Sequence, residues 1–241
     1  MWKPDLPYNE LPFPPVDELE TRSILRATAN ARAALAGLDQ AVKQIPNPEI
    51  LISPLSLLEA QASSEIENIV TTTDDLFRDE NLRSAAPDPA VKETLRYREA
   101  LFAGLKEVRH RPLNTNIALK VSSHISGYNM ELRSPPGTFI GNPTTLEARY
   151  TPPEGKELIA RKLGDWEKIV HIGDELDPLV AMAVAHYQFE AIHPFTDSNG
   201  RTGRILNILM LIERRLLSEP VLYLSRYIIE NKNEYYDRLL A

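Results

Sequence analysis

The chain has 241 residues, which is enough for one large domain or two small ones with an ample core. Its 43% hydrophobic and 25% charged residues are typical of a globular protein and exclude a disordered one. A formal net charge of −7 argues against nucleic acid or anionic lipid as partners, and the absence of cysteine excludes disulfides, thiolate nucleophiles and cysteine-bound zinc.

The first residues lack the basic and apolar regions of a secretory signal peptide. The longest apolar stretch, residues 179–185, is too short to cross a bilayer. We therefore expect a soluble cytoplasmic protein without a membrane segment.

The N-terminal arm is rich in proline, since five of the 19 prolines fall in the first fifteen residues. Proline disfavours a helix or central strand, so we expect an extended arm anchored on the surface by Trp2, Tyr8 and Phe13. From Val16 the apolar residues recur at helical spacing until Pro46.

Two dipeptides, each a capping residue followed by proline, predict the next two helix starts. Ser53-Pro54 and Asp88-Pro89 each combine an N-cap residue with a proline suited to the first helical position. A further helix is predicted from about Asn114. Residues 127–155 break the helical pattern, and residues 138–140 and 148–151 are predicted to pair as a short hairpin.

Helical spacing resumes in the last third of the chain. We predict helices from about Leu158, from Asp177-Pro178 through Ile192, from about Gly200 to Leu217, and from about Leu224. The predicted fold is therefore all-α with one short β-hairpin.

The stretch between two of these helices carries the candidate chemistry. Its sequence is His193-Pro194-Phe195-Thr196-Asp197-Ser198-Asn199-Gly200-Arg201-Thr202-Gly203-Arg204. A tight turn before a helix N-terminus exposes amide groups to an anion. Arg201 and Arg204 share one helix face and add donors suited to phosphate oxygens.

Asp197 and His193 complete a plausible phosphoryl-transfer site. One carboxylate beside a polyphosphate is the arrangement that Mg²⁺ prefers, and histidine takes up a proton near neutral pH. The alternative interpretation is that the acidic and amide side chains cap a helix while the arginines form surface ion pairs.

This stretch resembles the signature of the Fic family, His-Pro-Phe-x-Asp/Glu-Gly-Asn-Gly-Arg-x-x-Arg. The resemblance implies the Fic-type helical fold and transfer of AMP from ATP to a Ser, Thr or Tyr hydroxyl of a target protein. It implies that His193 is the general base and that Asp197 holds Mg²⁺. The nucleotide phosphates would be bound by Ser198, Asn199, Gly200, Arg201, Thr202, Gly203 and Arg204.

Ser198 departs from the family signature, which usually has glycine there. A side chain at this point is expected either to crowd the phosphate or to add a hydroxyl donor.

A second motif resembles the inhibitory sequence of the same family, Ser/Thr-x-x-x-Glu-Gly/Asn. Its fixed positions are Ser63, Glu67 and Asn68, near the end of the helix that contains Pro54. The resemblance implies that Glu67 pairs with Arg204 and excludes the γ-phosphate of ATP. Taken alone, such a segment is more often a solvated helix end than an inhibitory motif.

The resemblance also covers the hairpin and the tail. Residues 137–152 correspond to a flap that holds the target protein by strand pairing, the alternative being a plain surface loop. Asn231 is a candidate nucleotide contact. We divide the chain into an arm with the inhibitory helix, residues 1–87, and a catalytic core, residues 88–241, and expect a winged-helix domain to follow in longer relatives.

Other functions remain open at this point. The same fold can remove AMP or move another phosphate-containing group, and a non-catalytic nucleotide-sensing module is a further alternative. Self-association is expected by analogy with the family. The target protein is not indicated by any residue of the chain.

Overall fold

The computed structural model describes residues 3–82, 88–142, 145 and 147–240. Over these residues the helices are α1 (Arg22–Lys43), α2 (Glu49–Ile66), α3 (Thr73–Leu82), α4 (Pro89–Val108), α5 (Thr115–Ser126), α6 (Lys156–Val170), α7 (Pro178–Ile192), α8 (Asn199–Glu213), α9 (Leu224–Glu230) and α10 (Lys232–Leu239). Strands β1 (Ile140–Asn142) and β2 (Glu147–Tyr150) form an antiparallel hairpin, and 3-10 turns lie at Val16–Glu18 and Gly173–Glu175. The predicted all-α fold with a short hairpin is confirmed. None of the helices described is both long enough and apolar enough to span a membrane.

Several helices begin where a short polar side chain accepts a hydrogen bond from an amide of the first turn. Asp88 and Asp177 do so before α4 and α7, at 2.8 and 2.9 Å, and a proline follows each. Asn114 caps α5 in the same way at 3.1 Å. These three predicted starts are confirmed. The first long helix begins at Arg22 rather than Val16, because Thr21 caps it.

The predicted start of the second helix at Ser53-Pro54 is wrong. α2 begins at Glu49, and Pro54 lies in its second turn. A proline there removes the amide that would bond the carbonyl of Ile50. Ile50 belongs to the exposed first turn, where water can satisfy that carbonyl.

Three other boundaries differ from the prediction. α3 was not predicted at all, and Thr72 caps it by accepting from the amide of Asp75 at 3.1 Å. α8 ends at Glu213, four residues before Leu217. The last predicted helix is divided at Asn231 into α9 and α10.

α8 forms the centre of the fold. It packs against α4, α5 and α7, and α6 covers the outer face of α7. Trp166 of α6 packs against Phe189 of α7 with ring centroids 5.6 Å apart, and its indole donates to the carbonyl of Ala185 at 3.0 Å. Because α8 is enclosed on several sides, much of the loop at its N-terminus is buried, although Thr196 and Asp197 are exposed. Water screens charges poorly in the buried part.

The hairpin lies against the end of α7. Gly141 pairs with Ala148 and Asn142 pairs with Glu147, so the observed strands begin and end within two residues of those predicted. The buried hydroxyl of Tyr150 donates to the carbonyl of Ala191 at 2.8 Å, which ties β2 to α7 close to His193. Three residues of the predicted flap, at positions 143, 144 and 146, lie outside the described residues.

The N-terminal arm is anchored by Tyr8, as predicted, but not by Phe13. Tyr8 packs against the core and its amide donates to the carbonyl of Thr151 at 2.9 Å. Leu11 is buried in the same cluster, whereas Phe13 is exposed and is not an anchor. Trp2 lies outside the described residues. The arm is therefore fixed by its contacts with the segment that follows β2.

Candidate active site

His193 is the residue that ends α7. Its backbone is left-handed (φ 48°, ψ 60°), and its amide donates to the carbonyl of Phe189 at 3.0 Å. Buried Arg133 holds the main chain at this point. Its side-chain Nε donates to the carbonyl of His193 at 2.7 Å, and its backbone amide donates to the carbonyl of Pro194 at 2.9 Å. The sequence analysis did not identify Arg133. The main chain of His193 is thus fixed from both sides.

The surroundings of His193 keep its imidazole neutral. Burial and the positive charge of Arg133 lower its pKa to about 4, against the opposing effect of Glu67 and Asp197. A histidine with this pKa is uncharged at pH 7 and can accept a proton.

The loop after His193 is shaped by Asn199. Its side-chain oxygen accepts from the amide of Phe195, and its side-chain nitrogen donates to the carbonyl of the same residue, both at 2.9 Å. Phe195 is buried beside Phe189, with ring centroids 5.9 Å apart. The side chain of Asn199 therefore serves the shape of the loop, which leaves its backbone amide as the group available for phosphate.

Ser198 precedes α8 in a left-handed conformation (φ 61°, ψ 16°). Its amide donates to Asp197 Oδ1 at 2.6 Å. Its hydroxyl lies 2.8 Å from the Ser122 hydroxyl and 3.2 Å from the Ser126 hydroxyl, both on α5. The Ser198 side chain thus points toward α5 in the interior, so the expected crowding of a phosphate does not arise.

Asp197 is the candidate metal ligand. More than half of its side chain (58%) is exposed, and Oδ1 is 3.6 Å from Arg201 Nη2. Over the described residues no group of three or more acidic or histidine side chains is placed to hold a metal ion. A single accessible carboxylate fits a Mg²⁺ ion whose other ligands are substrate oxygens and water.

Arg201 is buried beneath the loop, with 3% of its side chain exposed. Nη1 donates to Glu93 of α4 at 2.5 Å, while Nε has no partner within the described part of the chain. The sequence analysis did not identify Glu93. The buried guanidinium is neutralised chiefly by this carboxylate.

Arg204 is enclosed by the end of α2, and 1% of its side chain is exposed. Nε donates to the Ser63 hydroxyl at 2.8 Å, and Nη2 donates to the Ser63 carbonyl at 2.9 Å and to Glu67 Oε1 at 2.8 Å. Burial alone would lower the pKa of Arg204, but the negative charge of Glu67 outweighs burial, so the pKa lies above its usual value. The three contacts join α2 to the second turn of α8.

Asn68 explains how Glu67 reaches Arg204. Asn68 is left-handed (φ 65°), its amide donates to the carbonyl of Glu65 at 2.9 Å, and the amide of Ile69 donates to that of Ser64 at 3.0 Å. These two bonds form a Schellman motif, which is favoured by glycine or asparagine at this position. Glu67 is consequently the C-cap residue of α2.

The Glu67 carboxylate lies close to Gly200 at the start of α8. A Cβ atom placed on Gly200 would be 2.3 Å from Glu67 Oε1. Burial opposes ionisation of Glu67, but the charge and hydrogen bond of Arg204 outweigh it and lower the pKa below its usual value. The carboxylate is therefore ionised at neutral pH, at a position suited to a phosphate.

A second buried acid holds α2 in place. Glu59 accepts from the Ser225 amide at 2.8 Å and from its hydroxyl at 2.5 Å, and also from the Tyr97 hydroxyl at 3.2 Å. Burial raises the pKa of Glu59 above its usual value, although these donors oppose the rise. The acid connects α2 to α4 and α9.

A cavity of about 170 Å³ brings these parts together. Its lining contains the polar residues Glu67, His193, Gly200 and Arg204 together with the tyrosines Tyr150, Tyr187, Tyr235 and Tyr236. Glu190 also lines the cavity, and burial raises its pKa to about 7. A lining that combines charged and aromatic side chains fits a phosphorylated ligand with a planar ring.

Some predicted residues lie elsewhere. Asn231 is not among the residues that line the cavity, and its side chain donates to the carbonyl of Tyr227 at 2.8 Å. Thr202 is buried outside the lining. A Cβ on Gly203 would be 2.3 Å from Glu190 Oε1, so glycine allows α8 to approach α7. The roles of these residues in binding stay predictions.

Two profiles of one family match the chain. That of the Fic/DOC family N-terminal region covers residues 25–106, and that of the Fic/DOC family covers residues 112–211. The chain is 34% identical over 105 residues to the Caenorhabditis elegans protein adenylyltransferase fic-1, which is 42% of this chain and 18% of that protein.

Two further relatives cover more of the chain. A probable protein adenylyltransferase of Aquifex aeolicus (aq_aa38) is 25% identical over 189 residues, which is 75% of this chain and 55% of that protein. The crystal structure of a Fic family protein from Desulfovibrio desulfuricans G20 superposes with a TM-score of 0.63 and 18% identity, covering 99% of this chain and 68% of that one. The matched segments thus cover 18% of the C. elegans protein and 55% of the A. aeolicus protein.

Proposed function

Because this chain belongs to the Fic/DOC family, we propose that it is a protein adenylyltransferase that transfers AMP from ATP to a Ser, Thr or Tyr hydroxyl of a target protein. The observation that carries the proposal is that a neutral, half-buried His193 lines the same cavity as Gly200 and Arg204. A base beside an anion-binding helix N-terminus is what phosphoryl-type transfer requires.

The proposed reaction assigns one role to each of these groups. His193 takes the proton of the target hydroxyl, whose oxygen forms a bond to the α-phosphorus of ATP. The bond from the α-phosphorus to the bridging oxygen breaks, and pyrophosphate leaves with the electron pair. The amides at the start of α8 and the arginines stabilise the charge on the phosphates. Mg²⁺ bound with the nucleotide at Asp197 would neutralise part of the same charge.

The adenine base and the target protein have separate sides of the cavity in this proposal. Tyr235 and Tyr236 offer aromatic surfaces to a planar base. Ile140 and Arg149 of the hairpin also line the cavity, which supports residues 137–152 as the flap that aligns a target segment beside His193.

Glu67 is proposed to inhibit the enzyme within the same chain. Arg204 is the residue expected to hold the γ-phosphate, and its Nη2 already donates to Glu67 Oε1 at 2.8 Å. ATP bound while this contact persists cannot direct its triphosphate along the loop, so its α-phosphorus is badly oriented for attack. Removal of Glu67 is expected to raise transfer.

The test uses ATP labelled on the α-phosphate and, separately, on the γ-phosphate. With Glu67→Gly we expect α-label on protein, alone and in host lysate, and a mass increase equal to AMP. His193→Ala in that background should bind ATP but transfer nothing, and His124→Ala, an exposed histidine of α5, serves as the matched control. Transfer of γ-label would instead indicate phosphorylation, and release of AMP from modified protein would indicate hydrolytic removal of AMP by water. Binding without transfer would indicate a nucleotide sensor.

A further inference from the structure

Ser198 adopts a backbone conformation that serine seldom takes. Its φ of 61° lies in the left-handed region that glycine enters without steric cost. Asn68 and His193, two other non-glycine residues with positive φ, lie at the same site. Strained backbone of this kind persists only where the surrounding contacts impose it, and it concentrates at functional sites.

Two serines of α5 supply such contacts. Ser122 and Ser126 are one helical turn apart, so both face the loop. Their hydroxyl oxygens lie 2.8 and 3.2 Å from that of Ser198, and Ser122 and Ser198 are both buried. A hydroxyl donates one hydrogen bond and accepts two, so the three groups can satisfy one another in the interior.

The direction of the Ser198 side chain has a consequence for the loop. Since the hydroxyl is occupied on the α5 side, the cavity side of the turn is left to backbone amides. The amide of Ser198 itself donates to Asp197 Oδ1 at 2.6 Å, which fixes the candidate metal ligand to the same turn. A shift of Ser198 would therefore displace Asp197 and the first amides of α8 together.

We propose that Ser122 and Ser126 are positioning residues that hold the nucleotide-binding turn through the hydroxyl of Ser198. A glycine at position 198 would adopt this conformation without help, whereas serine requires the two anchors. The proposal rests on the proposed function, because it assigns the turn to the phosphates of ATP.

The experiment introduces Ser122→Ala and Ser126→Ala together into two forms of the Glu67→Gly protein. One form keeps Ser198, and the other also carries Ser198→Gly. Each form is compared with and without the two α5 changes. Two measurements are made: the amide hydrogen exchange of residues 197–201, and the Kd and KM for Mg-ATP alongside kcat. Loss of two neutral hydrogen bonds corresponds to roughly a tenfold effect. With Ser198 present we expect about tenfold faster exchange and about tenfold higher Kd and KM.

In the glycine form the same two changes should alter exchange, Kd and KM by less than about twofold. A merely structural role for the α5 hydroxyls would affect both forms equally. Ser123→Ala is the matched control, because its hydroxyl donates to the carbonyl of Leu119 and accepts from the amide of Met130 instead of contacting the turn. It should affect the two forms alike.

Equal effects in both forms would overturn the inference. Tighter ATP binding after the two serines are removed would do the same, because it would mean that a freed Ser198 hydroxyl binds phosphate. A Glu67→Gly protein that binds no ATP would refute the proposed function instead, and hydrogen exchange would still decide whether the α5 serines hold the turn.

Discussion

The contact between Glu67 and Arg204 predicts a graded activation. Glu67→Gln keeps a side chain of the same size but removes its charge, whereas Glu67→Gly removes the contact altogether. A hydrogen bond to a charged group contributes about 1.5–3 kcal/mol. Because Arg204 stays charged, glutamine keeps a bond of this kind and loses only the attraction between the two charges. For a partly exposed pair that attraction is worth about 0.5–1 kcal/mol, so we expect roughly a two- to fivefold rise in transfer for glutamine.

The glycine variant should exceed the glutamine variant, with a rise of about ten- to a hundredfold. The lower end applies, because 34% of the Glu67 side chain is exposed and solvent weakens the pair. The assay is the initial rate of α-labelled AMP transfer at fixed Mg-ATP, with Glu65→Gln, an exposed residue of the same helix end, as the matched control. Equal rates for Glu67→Gln and Glu65→Gln would refute the electrostatic reasoning.

Three further predictions concern charge at the site. Burial and the charge of Arg133 lower the pKa of His193 to about 4. We therefore expect kcat/KM of an active variant to stay level as the pH falls to about 5.5. A fall in kcat/KM centred near about 6.5, the ordinary pKa of histidine, would contradict this. Glu93→Gln removes the charge that neutralises buried Arg201 and should lower the free energy of unfolding in urea by about 1–2 kcal/mol, because Glu93 is partly exposed and Asp197 remains nearby. Ser225→Ala removes a donor to Glu59, whose raised pKa already disfavours its charged form. Its loss of stability in urea should therefore grow from pH 5 to pH 8, and an equal loss at both values would oppose that assignment.

Helix starts were predictable where one residue decides them. Asp88 and Asp177 each cap their own helix and precede a proline, so neighbouring residues alone specify the result. The same rule failed at Pro54, because a helix can tolerate proline in an exposed early turn and Pro48 already occupied the true start. Local preference does not distinguish between two such prolines.

The candidate site likewise has a part that local sequence predicts and a part that it does not. The residues from His193 to Arg204 are contiguous, so their grouping follows from the sequence. Glu93 and Arg133 reach the site from 108 and 60 residues away, and no local pattern specifies those pairings. Glu59 did leave a signal, because it falls at helical spacing among the apolar residues of α2. A charge on an apolar face predicts a buried partner, though not which one.

The end of α2 has a consequence for the kinetics of inhibition. The Schellman motif around Asn68 satisfies the backbone independently of Glu67, and Ser63 keeps its own bonds to Arg204. The carboxylate can therefore leave by rotating about its own side-chain bonds, which takes picoseconds to nanoseconds, while enzymes turn over at about 1–10³ per second. The proposed inhibition is then a rapid pre-equilibrium that precedes every turnover. On this proposal the resting rate equals the intrinsic rate multiplied by the fraction of time for which Arg204 is free of Glu67.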